Sequence, residues 1–417
     1  MRYSTLTQRI AGEAVAAWDI HFQAQALRRE GRQIFLLSVG DPDFDTPAPV
    51  VDAAIASLQR GETHYSDVHG SLALRQAIAR RTGAQVLADQ IMVLAGAQCA
   101  LYAVCQCLFE SADEVIVAEP MYVTYRGVLG ACGAQTVQVP VSPEQGFRLD
   151  PMAVARAITP RTRGLLLNTP HNPTGAAISS QDMALLAQLC REHDLWLVCD
   201  QVYSGLLFDG EPADPLSLPG MAERCVLIDS VSKSYAMSGW RVGWVVGPQP
   251  LIAHLATLAM VMLFGLPEFV MAGVCAALEQ DLPAVRAMRE AYRQRRDRVC
   301  AALADCPGVL AHRPAGGMFV MLDIRATGLS AQAFAQRLLL EEGVALLPGD
   351  AFGPSAAGHV RMGLVLDAER LEHACRRIAA CAGRVLAEQA CRTQTGVGTG
   401  QAVESHGRLP VDAWSEL

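Results

Sequence analysis

Residues 225–247 read CVLIDSVSKSYAMSGWRVGWVVG. Two apolar, β-branched runs, CVLIDS and RVGWVVG, bracket a short stretch that holds a single lysine, Lys233. Too few residues separate the runs for a crossover helix, so one of the two strands must run antiparallel to its neighbours. Lys233 sits among apolar, small and glycine residues, which is a poor setting for a solvated charge.

Working outward, five further runs read as strands: QIMVLAG, DEVIVAE, AQTVQVPV, TRGLLLNTP and LWLVCD. Helical periodicity fills many of the gaps, as in SSQDMALLAQLCREH, residues 179–193. Alternation of this kind predicts an α/β fold, a mostly parallel seven-stranded sheet with helices on both faces. After Asp281 the pattern changes to a long charged helix, 284–306, then GGMFVMLDI, SAQAFAQRLLLEEG, VALLPG, HVRMGLVL and a last helix. The expected organisation is an N-terminal segment (1–45) packing with the small domain, a large domain (46–280), a smaller α+β domain (281–390) and a polar, disordered tail (391–417).

The chain has 417 residues, half of them hydrophobic and 18% charged, enough for two domains and a large core. Its net charge of −8 argues against a nucleic-acid partner. Thirteen cysteines without a CxxC pair read as reduced thiols of a cytoplasmic protein, neither a disulfide framework nor a metal site. Residues 251–278 are apolar, but His254, Pro267 and Glu268 interrupt them short of the roughly 20 residues a bilayer needs. They read as two helices buried at a domain or subunit contact, and the protein as soluble, with no membrane or signal segment.

In an open parallel sheet, ligands bind at the carboxyl ends of the strands. The polar residues found there are Gly96, Ala97 and Gln98, then Tyr122, Asn172, Asp200 with Tyr203, and Ser230 with Lys233. Singly, each has a plain reading: Asn172 precedes a proline and marks a turn, and Asp200 could cap a helix. Together they describe one pocket with a lysine, a carboxylate, an amide, aromatic hydroxyls and anion-binding amides.

These residues, with the motifs HNPTG, SxSKxxxxxGWRVGW and HVRMG, resemble the class I/II aminotransferases, pyridoxal-phosphate enzymes of fold type I. The resemblance spans roughly residues 30–385 and implies a role for each position. Lys233 would anchor the cofactor aldehyde and then shuttle a proton from the substrate Cα; its free amine, with a pKa of ~10.4, needs desolvation to do so. Asp200 would keep the pyridine nitrogen protonated, Asn172 and Tyr203 would bond the ring oxygen, and Tyr122 would stack on the ring. Gly96, Ala97 and Gln98 at a helix start, Ser230 and Arg241 would bind the phosphate. Tyr65 of a neighbouring subunit would join them, which implies a homodimer with shared active sites. Arg361 would grip the substrate carboxylate, with Gly40 allowing close backbone approach. The family usually carries an acidic residue after the ring aspartate; Gln201 departs from that, at a position that points away from the cofactor.

The same pocket serves other reactions. A transaminase with an aromatic, aspartate or alanine-type donor is one alternative, and a carbon–sulfur β-lyase is another. A regulator built on this fold would need a DNA-binding domain that the N-terminal residues are too few to supply. A closer resemblance, to bacterial arginine–pyruvate aminotransferases, runs from near residue 1 to about 390, through AAWDIHF, LSVGDPDFDTPAP and FGPSAAGHVRMGLVL. It implies L-arginine as donor and pyruvate as acceptor, giving 5-guanidino-2-oxopentanoate and alanine in arginine catabolism. A guanidinium tail wants a carboxylate partner, and Asp19 and Glu268 are the candidates for it; a solvated helix face and a favourable helix N-terminus explain them equally well.

Overall fold

The computed structural model describes residues 2–10, 18–83 and 85–395. Its strands, in chain order, are Phe35–Leu36 (β1), Ile91–Leu94 (β2), Glu114–Glu119 (β3), Gln135–Pro140 (β4), Thr162–Asn168 (β5), Trp196–Asp200 (β6) and Cys225–Ser230 (β7). They continue with Gly243–Val246 (β8), Leu310–His312 (β9), Phe319–Asp323 (β10), Val344–Ala345 (β11), Leu347–Pro348 (β12) and His359–Gly363 (β13). All seven runs read from the sequence join one sheet, ordered β2-β8-β7-β6-β5-β3-β4. The antiparallel member is β8, paired antiparallel with both β2 and β7, while the other pairings are parallel.

Apart from the edge strand β4, which is partly exposed, these strands read as mostly apolar runs because both faces of the sheet are covered. Successive residues go to opposite sides. Leu166, Val198 and Val226 pack with helices Gly96–Leu108, Tyr125–Cys132 and Gln249–Met262. Leu165, Leu167, Leu197 and Cys199 pack with helices Leu72–Thr82, Ser180–Glu192 and Glu268–Glu279.

A second sheet, β12-β13-β10-β9, is antiparallel throughout. Helices Pro283–Ala302, Ala331–Glu342 and Ala368–Thr395 share a core with it. Helix Asp19–Arg29 buries Ile20 and Ala24 in that same core, and β1 pairs with β11. The last helix carries through Cys391 to Thr395, into the segment read from composition as a tail, although Cys391, Arg392 and Thr393 there are exposed. Residues 396–417 of that tail lie outside the described residues.

The long charged helix is less solvated than its composition suggests. Arg295 and Arg296 are buried on it. Residues 251–278 fall in two helices, and no helix among the described residues is long and apolar enough to cross a membrane. None of the thirteen cysteines forms a disulfide.

Candidate active site

A cavity of about 160 Å³ opens at the carboxyl ends of the large sheet. It is lined by Ala97, Gln98, Tyr122, Asn172, Asp200, Tyr203, Ser230, Lys233 and Arg241, among others. The sheet brings these residues together from strand ends that are far apart in the chain.

The anion-binding wall is built at the start of helix Gly96–Leu108. Gly96 opens the helix at φ +82°, and a Cβ there would come within 2.4 Å of an Arg241 Nη. Gly243 on β8 is equally constrained, because a Cβ would meet the Ala97 amide at 2.5 Å. Only glycine lets the guanidinium and the first-turn amides converge this closely. Arg241 itself lies at φ +54°, held by Nη1 donating to Ser238 O at 2.9 Å. Ser230, at the end of β7, is buried beside it, and its hydroxyl accepts the Ser232 amide at 3.3 Å.

Asp200 ends β6 and is 7% exposed. Its Oδ2 accepts the Tyr125 hydroxyl at 2.7 Å and its Oδ1 the Val202 amide at 3.2 Å. Burial pushes its carboxyl up to about 6, with Tyr125 and Val202 pulling the other way. Among the described residues it has no ion-pair partner, so this carboxylate is oriented but not neutralised. The sequence reading missed Tyr125, which looks like an ordinary core residue of an amphipathic helix; its hydroxyl, five residues after the buried Pro120, was the signal.

Lys233 follows β7, and its Nζ donates to Gly40 O at 2.7 Å. Desolvation lowers its pKa to about 8; Asp41 opposes this, while Arg361 and Arg241 add to it. Gly40 has no room for a side chain, since a Cβ would lie 2.4 Å from the Phe319 ring. Tyr122 lines the cavity and meets Tyr125 edge-on, with ring centroids 5.5 Å apart.

Arg361, on β13 of the small sheet, reaches the same place. Its Nη1 donates to Asn172 Oδ1 and its Nη2 to Ser38 O, each at 2.8 Å. The guanidinium lies between the rings of Phe319 and Phe352, at 4.2 and 4.8 Å. Its Nε is buried without a partner. Asn172 Nδ2 donates to the Tyr203 hydroxyl at 3.4 Å, and the Asn172 amide bonds Asn168 Oδ1 at 2.7 Å. Asn168 and Ser38, which supply these supports, were not singled out from the sequence.

Three residues stand elsewhere. Tyr65 is 87% exposed and packs edge-on against Phe264 in a separate surface hollow. Asp19, at the start of its helix, and Glu268, at the start of another, do not line the cavity of their own chain. Burial raises both carboxyls, and Glu62 raises that of Glu268 further. Gln201 bonds through its amide to Ile228 O at 2.8 Å.

Comparison with known proteins agrees with this architecture. The chain is 63% identical to the arginine–pyruvate transaminase AruH of Pseudomonas aeruginosa, over 93% of this chain and all of that protein. It is 37% identical to the aspartate/prephenate aminotransferase of Thermus thermophilus, over 91% of this chain and 99% of the relative. The solved aspartate aminotransferase from Thermus thermophilus with maleate superposes with a TM-score of 0.86 at 36% identity, covering 91% of this chain and all of that one. A family profile described as aminotransferase class I and II matches residues 32–378, and the chain belongs to that family.

Proposed function

We propose that this protein transfers the amino group of L-arginine to pyruvate, using pyridoxal 5'-phosphate and working as a cytoplasmic homodimer. One observation carries the chemistry: a desolvated lysine and an unneutralised buried carboxylate face one cavity beside an anion-binding helix start. The choice of arginine and pyruvate rests on the 63% identity to the Pseudomonas enzyme.

The residues present fit the cofactor. A buried carboxylate without a cation suits a pyridinium N–H, and the cradle that Gly96 and Gly243 keep open suits a phosphate. When bound, pyridoxal phosphate supplies an aldehyde that takes up the amino group and a protonated ring that accepts electron density.

The chain's own groups do the rest. Asp200, steadied by Tyr125 and the Val202 amide, holds the ring proton. The Tyr203 hydroxyl accepts from Asn172 and so has its own hydrogen free to donate to the ring oxygen. Gly96, Ala97, Gln98, Ser230 and Arg241 bind the phosphate, and Tyr122 covers the ring. Lys233 Nζ, drawn toward neutrality by burial, would take up the proton from the substrate Cα and move it within the cavity. Arg361 grips the α-carboxylate, with its unpartnered Nε adding to the demand for an anion. Tyr65, exposed next to Phe264, reaches the phosphate of a second subunit; the apolar surface of Val261 and Phe264 supports a contact there. Asp19 and Glu268 stand for the guanidinium end. Burial and, after it, Glu62 raise Glu268, and a cation beside its carboxylate would oppose both.

A donor screen with pyruvate tests the reading. L-arginine should give the highest kcat/KM, with alanine and 5-guanidino-2-oxopentanoate as products. Asp19→Asn or Glu268→Gln should raise KM for arginine more than for leucine. Preference for aspartate or an aromatic donor, or release of ammonia and pyruvate from cystathionine, would refute it.

A further inference from the structure

Away from the cavity, three side chains of the small sheet converge on one point. His312 ends β9, Asp323 ends β10 and His359 opens β13. In the register, Met321 stands opposite both His312 and Arg361, and Asp323 stands opposite His359. All three therefore project from one face. Their ligating atoms lie within 4.8 Å of one another.

The hydrogen bonding around them is incomplete in a particular way. His359 is 1% exposed, and its Nδ1 lies 3.0 Å from Ala357 O, so that nitrogen carries the hydrogen and Nε2 keeps a lone pair. The Nε2 atoms of both His359 and His312 are buried with no hydrogen-bond partner. Two such orphans side by side are a rare and unfavourable arrangement unless something occupies the point between them. Phe147 packs edge-on against both imidazoles, at 5.1 and 5.9 Å, and shields them from solvent. Asp323 Oδ2 stands 3.9 Å from His359 Nε2, and the carboxylate is oriented by Arg325, whose Nη2 donates to it at 2.6 Å.

We propose that His312, Asp323 and His359 form a binding site for a divalent transition metal, zinc by the character of its ligands. Two imidazole nitrogens and one carboxylate oxygen are a zinc donor set, leaving a fourth position for water. An imidazole whose other nitrogen donates to a backbone carbonyl is the usual state of a metal-bound histidine. Tetrahedral zinc spaces its ligand atoms about 3.3 Å apart, given bonds of ~2.0–2.1 Å, so small side-chain rotations close the site. The metal would tie β9, β10 and β13 together, and β13 carries Arg361 two residues beyond His359. This placement makes the site a staple for the strand that holds the carboxylate-binding arginine. The sequence reading expected no metal, on the cysteine pattern alone; His312, Asp323 and His359 are scattered over short strands and carry no recognisable ligand spacing.

The test is zinc titration of the full-length, cofactor-loaded protein after chelator treatment, followed by competition with a chromophoric chelator and by thermal melting. One zinc per chain and a raised Tm are expected. His312→Ala and Asp323→Asn should each weaken binding at least about tenfold, while Cys391→Ser, which removes an exposed thiol, binds like the parent. His312→Gln replaces the alanine variant should that one fail to retain cofactor. Absence of stoichiometric zinc uptake, unchanged affinity in the His312 and Asp323 variants, or a loss confined to Cys391→Ser would overturn the proposal. A hydrogen bond between the two imidazoles would then account for their nitrogens.

Discussion

Two arginines are buried in this chain to nearly the same degree, Arg296 at 0% and Arg361 at 4% exposure, yet their surroundings are opposite. Arg296 donates to Asp209 at 2.5 Å, to Asp297 at 2.8 Å and to Pro314 O at 2.9 Å. Arg361 has an amide oxygen, a carbonyl, two aromatic faces and an orphan Nε, and no carboxylate within ion-pair distance among the described residues. Desolvation lowers its pKa to about 10. A buried charge left without its counter-ion costs several kcal/mol, so the fold tolerates Arg361 where it could have neutralised it. The region around Arg296 is complete in itself. The region around Arg361, with Lys233 and Asp200, is complete only with a ligand whose charges are the complement of its own.

The contrast breaks most sharply at Lys233. Lys233→Ala should abolish transamination and the visible cofactor absorbance, yet leave Tm at or above that of the cofactor-free parent, because a desolvated cation disappears. Its pKa is lowered in the fold, so in the cofactor-free protein the lysine destabilises below about pH 8, and the penalty fades as pH rises toward its unfolded value of 10.5. The Tm gain of the variant over the cofactor-free parent should therefore shrink between those pH values. Near-normal turnover with intact absorbance would end the assignment. Asp200→Asn comes next, slowing α-proton exchange by roughly 10²–10⁴-fold, the range of a lost acid–base group. An unchanged exchange rate would mean that Asp200 does not face the ring.

A matched pair of variants compares the two regions directly. Arg361→Met should lower kcat/KM roughly 10²–10⁴-fold for every α-amino acid, as expected for two charge-assisted hydrogen bonds of ~1.5–3 kcal/mol each, and should not lower Tm. Arg296→Met should do the reverse. It should lose ~1–3 kcal/mol of stability, below the usual 3–5 for a broken buried pair because Asp209 and Asp297 are partly exposed and can rehydrate. Its kinetics should stay near the parent's. Unfolding curves and steady-state rates on both variants decide the matter, and a large Tm loss in Arg361→Met would erase the distinction.

What the sequence showed of this contrast follows from where charge stands out. The seven strands of the large sheet were legible because burial on both faces leaves runs such as LLLN and WLVCD with no polar alternation. Lys233 and Arg361 were legible because a charge in an apolar run needs a reason. Arg296 was not, since an arginine on a charged helix looks solvated until Asp209, far off in the chain, closes over it. Supports made by backbone, such as Ser38 O and Gly40 O, carry no side-chain signature at all. The roles proposed for Tyr65 and Glu268 depend on a second subunit, which one chain does not contain, and Asp19 does not line the cavity.

Tyr125 offers the finest probe of how far the unneutralised region has been tuned. Its hydroxyl donates 2.7 Å to Asp200 Oδ2 and is the larger of the two contacts that hold the Asp200 carboxyl down against burial. Tyr125→Phe removes that hydrogen bond while keeping the ring that packs against Tyr122. Asp200 then moves above its value of about 6, because desolvation is opposed only by the Val202 amide. A carboxyl with a higher pKa is protonated over a wider acidic range, and a protonated Asp200 no longer holds the ring proton as a charged partner. The acid limb of the kcat/KM profile should therefore shift to higher pH by under about one unit, on the scale where one unit equals 1.36 kcal/mol, with a fall in activity of up to about twofold near neutrality that grows at lower pH and that higher pH restores. A residue that only packed would lower activity evenly across pH. A parallel drop with no displaced limb would accordingly show that Tyr125 serves the core and that Asp200 is set by burial alone.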